Sequence, residues 1–199
     1  MICDAYFGEL FILKIHSVTI RSMFSIIFLL AISVFTRAQT AMSPADAGSR
    51  VHFVIKNFGM KTGGDFSGIK GVIKFDPKSP STASFDVTVN STTIDTDNGS
   101  RDGHLKKEEY FDVSKYPLIR MVSTKILGTT KPGRYQFTGN LSIKDVTRSI
   151  TFQFTVVEKE GGYLFTGDNF TINRRDYKVG GNSISLADEL KLSVSVLAK

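Results

Sequence analysis

A chain of 199 residues, 41% hydrophobic and 22% charged, is sized for one folded domain and is too apolar to stay disordered. Its single cysteine excludes a disulfide framework, and 25 basic against 19 acidic residues give a net charge of +6. The lysines scatter through turns and outward strand positions, so the charge marks a solubilising surface and excludes a nucleic-acid-binding stripe.

Residues 1–22 are themselves partly apolar, with Phe11, Ile12, Leu13 and Ile15 beside only Lys14 and Arg21. Residues 23–41 then read MFSIIFLLAISVFTRAQTA, apolar from Phe24 to Phe35 with small residues near Ala38. That is the build of a secretory signal peptide cleaved after Ala38, with an apolar core short for a membrane span. Met23 offers an alternative start that would leave residues 1–22 untranslated, and an uncleaved anchor is the competing reading. Cleavage there leaves 161 residues with 22 basic and 17 acidic groups, without Cys3. Residues 39–49 form a Ser/Pro/Ala/Gly leader, and residues 50–199 the domain.

From residue 51 nearly everything alternates with period two. The expected strands are 51–56, 66–75, 83–89, 119–127, 135–143, 150–156, 163–172 and 190–196. Short turns join most of them, including Lys131-Pro132-Gly133 and Glu160-Gly161-Gly162. The pattern does not fix the inward phase of 119–127. About eight long antiparallel strands close more readily into a barrel than into a sandwich, because closure removes the edges. The expected fold is all-β, an extended lipocalin-like barrel with one short helix.

That helix belongs to the one long polar segment, residues 93–117, TIDTDNGSRDGHLKKEEYFDVSKYP. Asp95 to Ser100 are turn formers, Arg101 to Leu105 a short helix capped by Asp or Ser, and Tyr110, Phe111, Val113 and Tyr116 an apolar seat. A segment this long is a lid or a working loop, here placed over one barrel end.

The inward phase holds Phe53 and Ile55 on the first strand, Ile73 and Phe75 on the second, and Phe85, Val87 and Val89 on the third. Met121 follows, then Tyr135, Phe137, Gly139 and Leu141, then Phe152 and Phe154. Tyr163, Phe165 and Phe170, with Leu192 and Val194, complete the set. These residues are the candidate lipid-binding lumen, a tube of about 25 Å if about ten-residue strands tilt by about 40°. Gly71, Gly139 and Gly167 lie in the same phase and either make room inside or let the strands kink. No metal-ligand spacing, nucleophile elbow or phosphate loop is present; Gly63-Gly64 reads as a turn. No cofactor is expected beyond a bound lipid.

Residues 94–117, with their Arg-Asp-x-His-Leu, Tyr-Phe-Asp-Val and Lys-Tyr-Pro blocks, resemble the signature of the YceI-like polyisoprenoid-binding proteins. Val51 to Asn57, Gly64 to Gly68, Met121 to Thr124, Gly139 to Ile143 and Thr171 to Arg174 match further blocks, so the resemblance runs from Arg50 to the C-terminus. Asn57 stands where many members have histidine, and Asp145 where glycine is usual. The resemblance implies a periplasmic or secreted barrel that binds, stores or transports a long-chain lipid such as a polyisoprenoid, quinone or fatty-acid derivative, without enzymatic activity. Arg101, Asp102, His104 and Arg174 are the candidates for the rim and the head group. For Arg101 and Asp102 the competing role is to tie the helix to the barrel; for Arg174 it is an ion pair with Asp102 or Asp176. Transient membrane contact and a homodimer are further expectations. Two alternatives stand beside this reading: a lipid-modifying isomerase or cyclase, and an envelope β-protein with a filled core that binds partners through its surface.

Overall fold

The computed structural model describes residues 39–199. The segment read as a signal peptide lies outside the described residues. Among the described residues, ten strands and one α-helix follow in order: β1 (Ala41–Met42), β2 (Pro44–Asn57), β3 (Met60–Phe66), β4 (Lys70–Lys74), β5 (Ser84–Asn90), α1 (Gly99–Leu105), β6 (Leu118–Gly128), β7 (Arg134–Ile143), β8 (Val146–Lys159), β9 (Gly162–Asn173) and β10 (Leu186–Ala198). All pairings are antiparallel, in the order β1-β4-β5-β6-β7-β8-β9-β10-β2-β3.

The two ends of that order are parts of one hairpin. Ala41 and Met42 face Lys74 and Ile73 at its base, while Val51 faces Phe66 and Asn57 faces Met60 at its tip. Between them, where the ladder breaks, Ile69 N–H donates to Asp46 Oδ1 (2.9 Å). β1 and β2 therefore act as one strand broken at Ser43, and β3 and β4 as one broken at residues 67–69. The sheet curls back on itself as an antiparallel barrel of eight long strands counted as ten segments.

Two expectations are corrected. Residues 39–49 are not a loose leader: Pro44 and Ala45 pair with Ala198 and Leu197, and Ser43 and Lys199 exchange backbone hydrogen bonds (2.8 and 3.1 Å). Backbone pairing needs no apolar side chains, so composition hid it. Gly63-Gly64 is no turn either; both lie in β3 opposite Val54 and Phe53. A Cβ on Gly64 would sit 2.6 Å from the Phe53 ring, so glycine lets that ring lie flat on the strand.

Alternation carries through where it was read most clearly. In β7, Tyr135, Phe137, Gly139, Leu141 and Ile143 are buried and their neighbours are not. β6 escaped because its phase changes midway. Met121 pairs with Leu141 and Ser123 with Gly139, then a bulge shifts the register so that Ile126 faces Phe137. Ser123 Oγ accepts from Phe85 N–H (2.8 Å) at this irregularity.

The interior divides in two. Toward the C-terminal end of β10, Phe75 meets Tyr135, Tyr163, Phe165 and Phe85 at ring-centroid distances of 5.1 to 6.4 Å, mostly edge to face. Phe137 and Ile126 there are 0% exposed. Toward the other end a second cluster gathers Leu141, Ile143, Ile172, Tyr177 and Val179 around Met121, Leu190 and Leu192.

Candidate ligand-binding cavity

Residues 91–117 cross the barrel end where β2, β7 and β9 finish. The cap of α1 is Asn98, not the expected Asp or Ser: its side chain accepts from Arg101 N–H (3.0 Å). Buried Thr96 holds the helix start. Arg101 Nε donates to Thr96 Oγ1 (2.7 Å), which donates to Asp102 Oδ1 (2.5 Å), and Thr96 N–H donates to the same carboxylate oxygen (3.0 Å). This knot is fixed to β3, because Asp95 and Asp65 exchange backbone hydrogen bonds (3.0 and 2.8 Å). Phe111 then stands edge-on to Phe66, with centroids 5.5 Å apart.

The β9–β10 connection forms a second cover, organised by Arg174, which is 4% exposed. Its guanidinium donates to the carbonyls of Ala187 (3.0 Å), Val179 (2.9 Å) and Gly181 (2.9 Å) and pairs with Asp188 (2.8 Å). The ion-pair partner is thus Asp188, neither Asp102 nor Asp176. Gly180 N–H donates to Glu109 O (2.8 Å), joining the two covers. Behind them, burial pushes the Tyr177 phenol up to about 12.

Beneath the covers lies a cavity of about 180 Å³ walled almost wholly by carbon. Cavities of about 150 Å³ lined this way stay dry and accept small hydrocarbons. Of the expected lumen, Phe53, Ile55, Val87, Val89, Met121, Leu141, Phe170, Leu192 and Val194 line it. Ile73, Phe75, Phe85, Tyr135, Phe137, Gly139, Phe152, Phe154, Tyr163 and Phe165 do not. Most of them pack against one another in the aromatic cluster, and the barrel is too narrow for that many rings to leave a bore. A tube running the whole barrel is therefore corrected to a hollow in one half.

The glycines do not supply the space. A Cβ on Gly139 would strike the Val122 carbonyl and sit 2.5 Å from the Phe137 ring, and one on Gly71 would strike Asp86 O. At Gly167 the Phe152 ring lies 3.2 Å away. They are places where a ring or a neighbouring strand presses close.

Among the rim candidates, Arg101 and Arg174 line the cavity. Asp102 turns to Thr96, and exposed His104 lies against the Tyr110 ring at 4.9 Å. Sequence reasoning missed Ile119, Ile143, Ile172 and Leu190 in the wall and Asn57 and Thr62 at its polar end. The wall residues continue the inward phase by one step, so extending the alternation would have found them. Asn57 Oδ1 is buried without a hydrogen-bond partner among the described residues. Arg101 forms no ion pair among them. An unpaired acceptor and an unpaired cation thus lie at the edge of an apolar chamber.

The YceI-like domain model matches residues 43–198. The chain belongs to the YceI-like family. It is similar to a UPF0312 protein of Pectobacterium carotovorum, 29% identical over 154 residues, covering 73% of this chain and 78% of that protein. Protein YceI of Salmonella arizonae is 29% identical over 156 residues, with the same coverage. Among solved structures, Burkholderia cenocepacia BcnA superposes with a TM-score of 0.73 at 26% identity, over 78% of this chain and 99% of that one. A domain from Saccharophagus degradans, described as polyisoprenoid binding, shares the fold with a TM-score of 0.64 at 13% identity, over 81% of this chain and 99% of its own.

Proposed function

We propose that this YceI-like protein binds one amphiphilic lipid with a long apolar chain, of isoprenoid, quinone or fatty-acyl type, and stores or carries it without turnover. The observation that supports this reading most is the hollow half of the barrel. A carbon-walled chamber sits under two covers, with Asn57, Thr62 and Arg101 at its polar end. Each methylene moved into it from water contributes about 0.8 kcal/mol. A wall that presents almost only carbon selects for girth and flexibility, so the head group is chosen at the polar end. There the Arg101 guanidinium suits an oxyanion or ether oxygen, and Asn57 Oδ1 suits a hydroxyl donor. The aromatic half stops the chain partway and a chamber of about 180 Å³ holds a short stretch of it, so the rest of a long tail lies against the covers.

Family membership and the fold shared with a domain described as polyisoprenoid binding point the same way. Binding is favoured over catalysis because the residues lining the chamber include no carboxylate, histidine or cysteine to pair as acid and base. The signal-peptide pattern of residues 23–41 supports a periplasmic or secreted location. Native mass spectrometry of the purified protein tests the proposal. The expected spectrum carries one hydrophobic adduct per chain that solvent extraction removes, chemically unchanged after incubation. A protein that stays empty when offered prenols, quinones and fatty acids overturns it.

A further inference from the structure

The hairpin between β2 and β3 ends in an unusual tip. Asn57 and Met60 pair, leaving Phe58 and Gly59 as a two-residue loop with φ of 49° and 76°. Positive φ at both positions belongs to a turn that favours Asn-Gly. A bulky aromatic in that region is strained, and its ring stands in solvent: Phe58 is 78% exposed. Met60 beside it is 70% exposed, and Ile184 on the neighbouring cover is fully exposed. The two loops are tied together, since Phe58 N–H donates to Ser185 O (2.8 Å). Three of the most exposed large apolar side chains among the described residues thus belong to two joined loops.

Their position is informative. Ile55, Asn57 and Thr62 on the hairpin, and Leu186 just after the second loop, line the cavity. The tip is therefore continuous with the chamber's polar end. Behind it, Lys56 and Lys61 face each other across the strands, both exposed and neither in an ion pair among the described residues. Apolar side chains at the point with paired lysines one step back match a bilayer interface, where rings and aliphatic groups enter the acyl boundary and ammonium groups meet anionic head groups.

We infer that the 57–60 hairpin tip, with Ile184, docks the protein on a bilayer carrying anionic phospholipids, bringing the chamber against the membrane from which it loads. The loading part rests on the lipid-binding reading; the docking part does not.

The test compares the wild type with a Phe58→Ser/Met60→Ser/Ile184→Ser variant and a Lys56→Gln/Lys61→Gln variant. None of these side chains lines the chamber, and circular dichroism checks their folding. Sedimentation with phosphatidylglycerol–phosphatidylcholine vesicles should pull down the wild type. The apolar variant should bind roughly tenfold less, and the lysine variant should lose the dependence on phosphatidylglycerol and on salt. Uptake of a fluorescent prenol from such vesicles should slow by a similar factor in the apolar variant, while uptake from detergent micelles stays at the wild-type rate. Wild-type protein left in the supernatant, or an apolar variant that sediments like the wild type, overturns the docking inference whatever happens to lipid. So does wild-type dimerisation that the apolar variant abolishes, since the patch would then be a subunit interface. Failure to take up prenol from micelles as well would instead count against the lipid-binding reading.

Discussion

The two halves of the barrel are built from the same alternating strands, yet one is solid and the other hollow. Along β5 the inward residues run Phe85, Val87, Val89, and along β7 Tyr135, Phe137, Gly139, Leu141, Ile143. In the solid half rings meet rings, with Phe85 5.2 Å from Phe165 and 5.6 Å from Phe154. In the hollow half branched aliphatic chains of similar apolarity stop short of the axis and leave about 180 Å³. Both halves obey the same hydrophobic rule; side-chain volume decides which becomes core and which becomes container.

The comparison breaks most visibly on truncation. Phe137→Ala in the solid half should cost about 3–5 kcal/mol, because a fully buried ring leaves a void its neighbours cannot fill. Leu192→Ala in the hollow half should cost less, about 1–2 kcal/mol, because that side chain already faces space. Urea unfolding of both variants measures the difference; equal costs would mean the halves are packed alike.

Enlargement works in the opposite sense. Gly139→Leu drives a side chain into the Phe137 ring and a carbonyl, and should destabilise by about 1–3 kcal/mol in the same assay. Val194→Phe points into the chamber and should change stability by less than about 1 kcal/mol while displacing ligand.

At the polar end, Asn57→Leu removes an acceptor that is buried and unpaired in the free protein. It should raise the stability of the ligand-free form by about 1 kcal/mol while weakening hydroxyl-headed lipids more than plain hydrocarbons, as read by thermal melts with and without ligand.

The remaining effects come with pH. The folded Tyr177 phenol titrates near 12 against about 10 when unfolded, so its contribution is complete below pH 10 and drains away between about 10 and 12. Hydrogen bonds from Arg50 and Arg120 hold the Asp65 and Asp86 carboxyls below the usual range. Their contribution is present above about pH 4 and is lost as the pH falls further. Both pairs are half-exposed, so this acid limb is shallow. Melting temperature against pH resolves the two limbs.

The strands were legible because alternation survives wherever one face is buried, as β5 and β7 show. The bulge in β6 was not, since one inserted residue inverts the phase without changing composition. The pairing of residues 41–45 was hidden because its hydrogen bonds are made by backbone groups, which composition does not report. The 93–117 segment announced itself by length and turn chemistry, and its placement over the barrel end matches that reading. What stayed invisible was the division of the interior. Hydropathy treats Phe85 and Val87 alike, although the change from rings to branched chains along β5 and β7 was present in the residues. The role of Arg174 was also unreadable, because its partner Asp188 lies across a loop whose path is set by the guanidinium itself.

The most direct test of the hollow half titrates a fluorescent prenol into three proteins: wild type, Leu192→Phe in the chamber wall, and Phe152→Leu in the solid half. Saturable binding near one prenol per chain, lost in Leu192→Phe and kept in Phe152→Leu, is the predicted result. Equal binding by Leu192→Phe and the wild type, or no binding by any of the three, would contradict the account.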